Sequence, residues 1–167
     1  TGVKNIQVNF GDGSDQVIIG TLAPPNDIPF GSVSVNTEGG SGSTKDNDTV
    51  VVQNLLVNKQ LDIRTGGGRD NITVQNTEVR MTGAPNVFTL ISGPDATPSD
   101  TDQDTVLIDG VKAQGTVSLS TGASADNLTI KRSDFNFVVG TTASNTSIKT
   151  GAGADVVRIG SDANEFT

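Results

Sequence analysis

Lys149-Thr150-Gly151-Ala152-Gly153-Ala154-Asp155-Val156-Val157-Arg158-Ile159 reads as a strand end, a glycine turn, an aspartate and a new strand. After Asp155 the inward candidates Val157 and Ile159 fall on alternate positions, the period of a strand with one buried face. The rest of the chain varies this pattern. Residues 61–74 give LDIRTGGGRDNITV, residues 117–130 give VSLSTGASADNLTI, and residues 6–19 give the looser IQVNFGDGSDQVII. Two further copies, Asp48-Thr49-Val50-Val51-Val52 and Asp104-Thr105-Val106-Leu107-Ile108, follow longer turns.

The copies are anchored at Asp15, Asp48, Asp70, Asp104, Asp126 and Asp155, with gaps by subtraction of 33, 22, 34, 22 and 29 residues. Self-similarity at such periods is the signature of stacked repeats, and the two-residue alternation excludes helical ones. Coils of 22 residues carry three apolar segments: Val50–Val52, Leu55–Val57 and Leu61–Ile63, then Val106–Ile108, Val111–Ala113 and Val117–Leu119. Short turns at Asn58-Lys59-Gln60 and Gln114-Gly115-Thr116 are expected between them. The expected fold is all-β: a parallel β-helix, or β-solenoid, of about six coils of three short strands, forming one domain over residues 1–167. The rule for parallel crossovers makes it right-handed.

Insertions hang off this frame. TLAPPNDIPFG (21–31) holds three prolines, which withhold backbone donors, so it reads as a loop that folds Leu22, Ile28 and Phe30 onto the flank. Longer excursions are expected at 82–86, 93–104 and 140–145, and a tail at 160–167. Phe135 and Phe137 stand 56 residues after Val79 and Met81, which places them in the core. The outward positions after each aspartate read Gln16, Thr49, Asn71, Thr105, Asn127, Val156 and Ile18, Val51, Thr73, Leu107, Thr129, Arg158. Neither series is a regular threonine ladder, which argues against ice binding.

Composition narrows the chemistry. There is no His, Cys, Trp or Tyr, so Cys/His metal sites, histidine bases and disulfides are excluded. A net charge of −8 disfavours a polyanionic partner such as nucleic acid, because such binding depends on Lys and Arg. No apolar run approaches the roughly 20 residues of a membrane span. A chain that opens on Thr1-Gly2, with no helical cap for its strand edges, is expected to be a piece of a longer coil stack.

The turn resembles the haemolysin-type calcium-binding repeat, Gly-Gly-x-Gly-x-Asp-x-apolar-x. Asp155 brings Gly151, Gly153 and Val157 onto that motif; Asp70 brings Gly66, Gly68 and Ile72; Asp15 brings Gly11, Gly13 and Val17. Asp126 brings Gly122 and Leu128, with Ser124 at the remaining glycine position. The first motif glycine is Thr or Phe here, and the Asp48 and Asp104 turns lack the glycines. Coil length is closer to the parallel β-helices of polysaccharide lyases and large bacterial surface proteins. The resemblance implies calcium held by stacked aspartates and turn carbonyls.

The candidate metal residues are therefore Asp15, Asp70, Asp126 and Asp155, with Asp46 and Asp48, and with Asp100, Asp102 and Asp104 in the D-x-D-x-D of the longest turn. Calcium takes six to eight oxygen ligands, which such turns can supply. The competing reading is that each aspartate accepts backbone N–H groups of its own turn. Arg64, Arg69, Lys131, Lys149 and Arg158 show no recurrent carboxylate partner that would mark an enzyme. The expected function is a non-enzymatic structural or adhesive module, outside the cell or on its surface. Its expected partners are neighbouring coils of a larger protein, and a surface glycan or protein, with no nucleic acid and no membrane insertion. The alternative is a lyase-like or glycan-binding β-helix.

Overall fold

In the computed structural model, which describes residues 5–20, 29–38, 46–80, 86–93, 102–135 and 145–160, strands form where apolar residues alternate. One sheet runs β1 (Asn5–Asn9), β3 (Phe30–Asn36), β5 (Leu56–Arg64), β8 (Asn86–Ile91), β11 (Thr116–Ser120) and β13 (Thr146–Lys149). Short β7 (Glu78–Val79) pairs with β5, and β10 (Lys112–Ala113) pairs with β7. The second sheet runs β2 (Gln16–Gly20), β4 (Thr49–Gln53), β6 (Asn71–Gln75), β9 (Thr105–Asp109), β12 (Asn127–Lys131) and β14 (Val156–Gly160). Every pairing between these strands is parallel, and the described residues contain no helix. The chain crosses from one sheet to the other and back, so each passage lays one rung beside the last.

Register stacks like on like. In the first sheet Ile6, Val33, Leu61, Phe88 and Val117 form one column, and Val8, Val35, Ile63, Leu90, Leu119 and Ile148 the next. The second sheet contributes Val17, Val50, Ile72, Val106, Leu128, Val157 and, beside it, Ile19, Val52, Val74, Ile108, Ile130, Ile159. Middle members of these columns are buried and form one apolar core. Burying each such side chain stabilises the fold by about 1.5–3 kcal/mol, and a one-residue slip would turn every one of them outward. The two outward series follow the same register, with Val51 and Leu107 half-buried and Ile18 exposed.

A third line of contacts closes part of each rung. Phe30 pairs with Val57, Val57 with Val79, Val79 with Ala113, and Lys112 bridges to Asp134, which brings Phe135 to the end of the line. Phe135 packs edge-on against Phe88, ring centres 6.5 Å apart, and Phe30 packs against the core as well.

The expected turn at 58–60 is absent: β5 runs unbroken from Leu56 to Arg64. Opposite it the register shifts, the single Gly31 between Phe30 and Ser32 facing two residues, Asn58 and Lys59, between Val57 and Gln60, so a bulge bends the corner. The equivalent corner at Gly115 does break, with Gly115 at φ 84°. The expectations for Leu22, Ile28, Met81, Phe137, residues 82–85, 94–101, 140–144 and the tail beyond Gly160 lie outside the described residues.

Candidate functional site: the aspartate column

Each repeated aspartate stands immediately before a strand of the second sheet, where the chain turns and its N–H leaves the ladder. The carboxylate of the next rung replaces the lost partner. Asp15 N–H donates to Asp48 Oδ1 at 2.8 Å, Asp48 N–H to Asp70 Oδ1 at 2.9 Å and Asp70 N–H to Asp104 Oδ1 at 2.8 Å. Asp104 N–H donates to Asp126 Oδ1 at 3.0 Å, and Asp126 N–H to Asp155 Oδ1 at 3.1 Å. The aspartate carbonyls accept from the rung that follows: Thr49, Asn71, Thr105, Asn127 and Val156 donate to Asp15, Asp48, Asp70, Asp104 and Asp126. The carboxylates thus cap the neighbouring rung, not their own turn as one of the two readings of the sequence expected. The carboxylate bonds all run forward along the column and the carbonyl bonds all run back, so each junction between rungs carries one of each.

Asp48, Asp70, Asp104 and Asp126 are buried, and the end members Asp15 and Asp155 are half-buried. Thr37, Thr65, Ser92 and Thr121 end the strands of the other sheet and form a second buried column. No well-aligned hydrogen bond reaches Oδ2 of Asp15, Asp48, Asp104 or Asp126, nor the hydroxyls of Thr37, Thr65, Ser92 and Thr121. Burial pushes the Asp104 carboxyl up to about 8, helped by the charges of Asp70 and Asp126 and opposed by the Asp70 N–H and the Ser92 hydroxyl. Asp48 is raised too, chiefly by burial and also by Asp15 and Asp46, against the Thr37 hydroxyl and the Asp15 N–H. Asp104 therefore holds a proton at neutral pH, which relieves the repulsion of stacked like charges.

The glycines of the turns answer to close approach between rungs. A Cβ on Gly68, at φ 125°, would overlap the Asp46 carbonyl oxygen; one on Gly151, at φ 73°, would overlap that of Gly122. Asp46 and Asp102 stand in the Gly13–Gly68–Ser124–Gly153 position of their own turns. Asp46 Oδ2 accepts from Gly13 N–H at 2.7 Å, its N–H donates to Gly67 O at 3.2 Å, and the Ser124 hydroxyl donates to the Asp102 carbonyl. Asp46, Asp48, Asp102, Asp104 and the other repeat aspartates are thus in one turn stack; Asp100 lies outside the described residues. The acids stand one above another rather than converging. Among the described residues no three acidic side chains gather as a set able to hold a metal ion. What the stack offers a cation is the Oδ2 atoms of Asp15 and Asp126, which no well-aligned hydrogen bond reaches.

One ionic cluster escaped the sequence reading. Asp109, at the far end of β9, receives Arg132 through Nε and NH2, both at 2.6 Å, and Lys131 Nζ lies 3.4 Å away. The Arg132 hydrogen bond, with the charges of Lys131 and Arg132, holds the Asp109 carboxyl below its usual range despite burial. The 22-residue offset from Asp109 to Lys131 was the available signal. Compared with known proteins, the chain matches no family model, no curated protein and no solved structure.

Proposed function

We propose that the chain is a stretch of parallel β-solenoid, about six right-handed coils, serving as a rigid structural or adhesive module of a secreted or cell-surface bacterial protein. The observation that carries this reading is the unbroken register of like side chains through both sheets. Stacked repeats draw their stability from neighbouring rungs, so a run of them behaves as a stiff rod and a spacer. The partners that suit it are further coils or domains of the same larger protein and a glycan or protein at the surface.

Calcium enters as a stiffener of the Gly-Asp turns, on the strength of their resemblance to the haemolysin-type repeat and of the Oδ2 atoms of Asp15 and Asp126, which no well-aligned hydrogen bond reaches. Thermal unfolding in EDTA, then with millimolar calcium or magnesium, tests it. A ligand that binds only the folded state stabilises it by about 2.7 kcal/mol at 100 times its Kd. A rise with calcium alone supports an ion in the turns, and unchanged unfolding removes calcium from the reading. The lyase-like or glycan-binding alternative draws on the Asp109–Lys131–Arg132 cluster, a carboxylate beside two cations. Its groups already satisfy one another, which suits a structural clasp. Release of unsaturated sugars from a polysaccharide would overturn the non-enzymatic assignment, and retention on a polysaccharide array without release would favour its adhesive form.

A further inference from the structure

The outward face of the second sheet carries a pattern of its own over β4, β6, β9 and β12, all of them paired on both sides. On β4 and β9 it presents a threonine and an aliphatic residue, Thr49 with Val51 and Thr105 with Leu107. On β6 and β12, which alternate with them, it presents an asparagine and a threonine, Asn71 with Thr73 and Asn127 with Thr129. The face therefore repeats every second strand. With neighbouring strands about 4.8 Å apart, that period is about 10 Å.

None of these side chains is charged, in a chain whose net charge is −8. Asn71 and Thr105 are exposed and the others half-buried. Among the described residues no partner hydrogen-bonds the side chains of Thr49, Asn71, Thr73, Thr105, Asn127 or Thr129. In the next column, by contrast, Gln75 donates to Gln53, and Asp109 takes Lys131 and Arg132. Free hydroxyl and amide groups both donate and accept, as sugar hydroxyls do. Val51 and Leu107 offer apolar contact to the C–H face of a ring, a contact that no Trp or Tyr is present to make. A face without cations selects against a charged glycan, whose carboxylates would lose water and gain no partner. A β-1,4-linked chain is extended and turns each sugar over relative to the last, so its repeat is a disaccharide, about as long as two strand spacings.

We propose that this face binds a neutral, extended β-1,4-linked polysaccharide laid across β4, β6, β9 and β12, along the stack. Sugars facing one way rest on Val51 and Leu107, and those facing the other way bond the Asn–Thr pairs of β6 and β12. Four strands span three spacings, about 14 Å, so the face holds about three to four sugars. The assignment rests on the adhesive form of the function proposed above and names its partner and its face.

The test is backbone-amide NMR of the 167-residue chain titrated with β-1,4-linked oligosaccharides of glucose, mannose, xylose or N-acetylglucosamine, from dimers to hexamers. At least one series is expected to shift the amides of β4, β6, β9 and β12, and to tighten about tenfold from dimer to tetramer with little gain beyond. An α-1,4-linked glucan, whose chain coils, and a β-1,4-linked uronate are expected to leave those amides unmoved. Thr73→Glu is expected to abolish the response, and Thr89→Glu, on the outward face of the first sheet, to leave it intact. Thermal unfolding checks both variants, and Thr105→Asp, at an exposed position, replaces Thr73→Glu if the latter does not fold. Shifts confined to another face, an equal response to the α-linked chain, or no response to any of the four series overturns the binding. Slow amide exchange in β4, β6 and β9 of a chain that binds none of them would leave the rigid module standing, and rapid exchange there would remove both.

Discussion

The second sheet is entered and left by two different corners. At entry, the turning N–H of Asp15, Asp48, Asp70, Asp104 and Asp126 is met by a carboxylate from the next rung, in a buried column. At exit, Asn54, Asn76, Gly110 and Arg132 take φ of 54°, 46°, 66° and 50°, and their N–H groups reach Gln75, Asp109, Lys131 and Gly160 carbonyls directly. One corner is held by side-chain chemistry and the other by backbone conformation. The first demands one residue type; the second demands only tolerance of the left-handed region, which Gly and Asn have and Arg accepts at about 1 kcal/mol or more. Around that exit, Gln75 Nε2 donates to Gln53 Oε1 at 2.7 Å and Arg132 clasps Asp109, so local pairing steadies each turn.

The sharpest way to separate the corners is pH. Asp104 keeps its proton to about 8 in the fold against an ordinary carboxyl value of 3.8, so the folded state binds more protons between those values and stability falls as pH rises. Asp48 acts in the same direction, while Asp109, lowered, adds stability above its unfolded value that is lost as pH falls. The expected loss across the window is on the order of several kcal/mol, at about 1.4 kcal/mol per unit of displaced pKa. Unfolding midpoints measured across that window should drop steeply for the parent and less steeply for Asp104→Asn, in which Asp48 still contributes; equal slopes would remove Asp104 as the cause.

Alanine at glycine comes next. Gly68→Ala must force the Asp46 carbonyl aside and hold φ 125°, and it should cost about 3 kcal/mol in urea unfolding. Asp70→Ala, which leaves the buried Asp48 N–H without its acceptor, should cost about 2 kcal/mol. Asp70→Asn should recover most of that loss, since an amide oxygen can take the same bond. At the exit corner Gly110→Ala meets only the Asn76 side-chain oxygen at 3.0 Å and should cost about 1 kcal/mol. A Gly110→Ala loss as large as that of Gly68→Ala would erase the distinction between the corners.

That distinction also explains what could be read from the letters. Asp15 through Asp155 repeat one letter in one setting, so the column, its period and the alternating core of Val50, Ile72, Val106 and Leu128 were visible. Asn54, Asn76, Gly110 and Arg132 share a backbone angle and no letter, so the exit corner was invisible. The bulge in β5 was missed for a related reason: Asn58-Lys59-Gln60 is polar and turn-like, yet an extra residue can stay extended where the partner strand is one shorter. The direction of the aspartate bonds was not legible, because a carboxylate that can cap its own turn can equally cap the rung before it. The proton on Asp104 depends on the depth of burial, which only assembled rungs create.

The carboxylate bonds of the column, each reaching from one rung to the next, bear on how the chain comes into being. A protein is made from its N-terminus, and each new rung brings the carboxylate that completes the aspartate already laid down. A nascent stack therefore always ends in one unanswered donor, and each arriving rung answers it while presenting another. Growth closes the structure behind itself: loss of the last rung reopens the Asp126 N–H, which a carboxylate had met, and loss of the first reopens the Thr49 N–H, which a carbonyl had met. Each end therefore frays at the cost of one donor, answered by side-chain chemistry at one end and by backbone at the other.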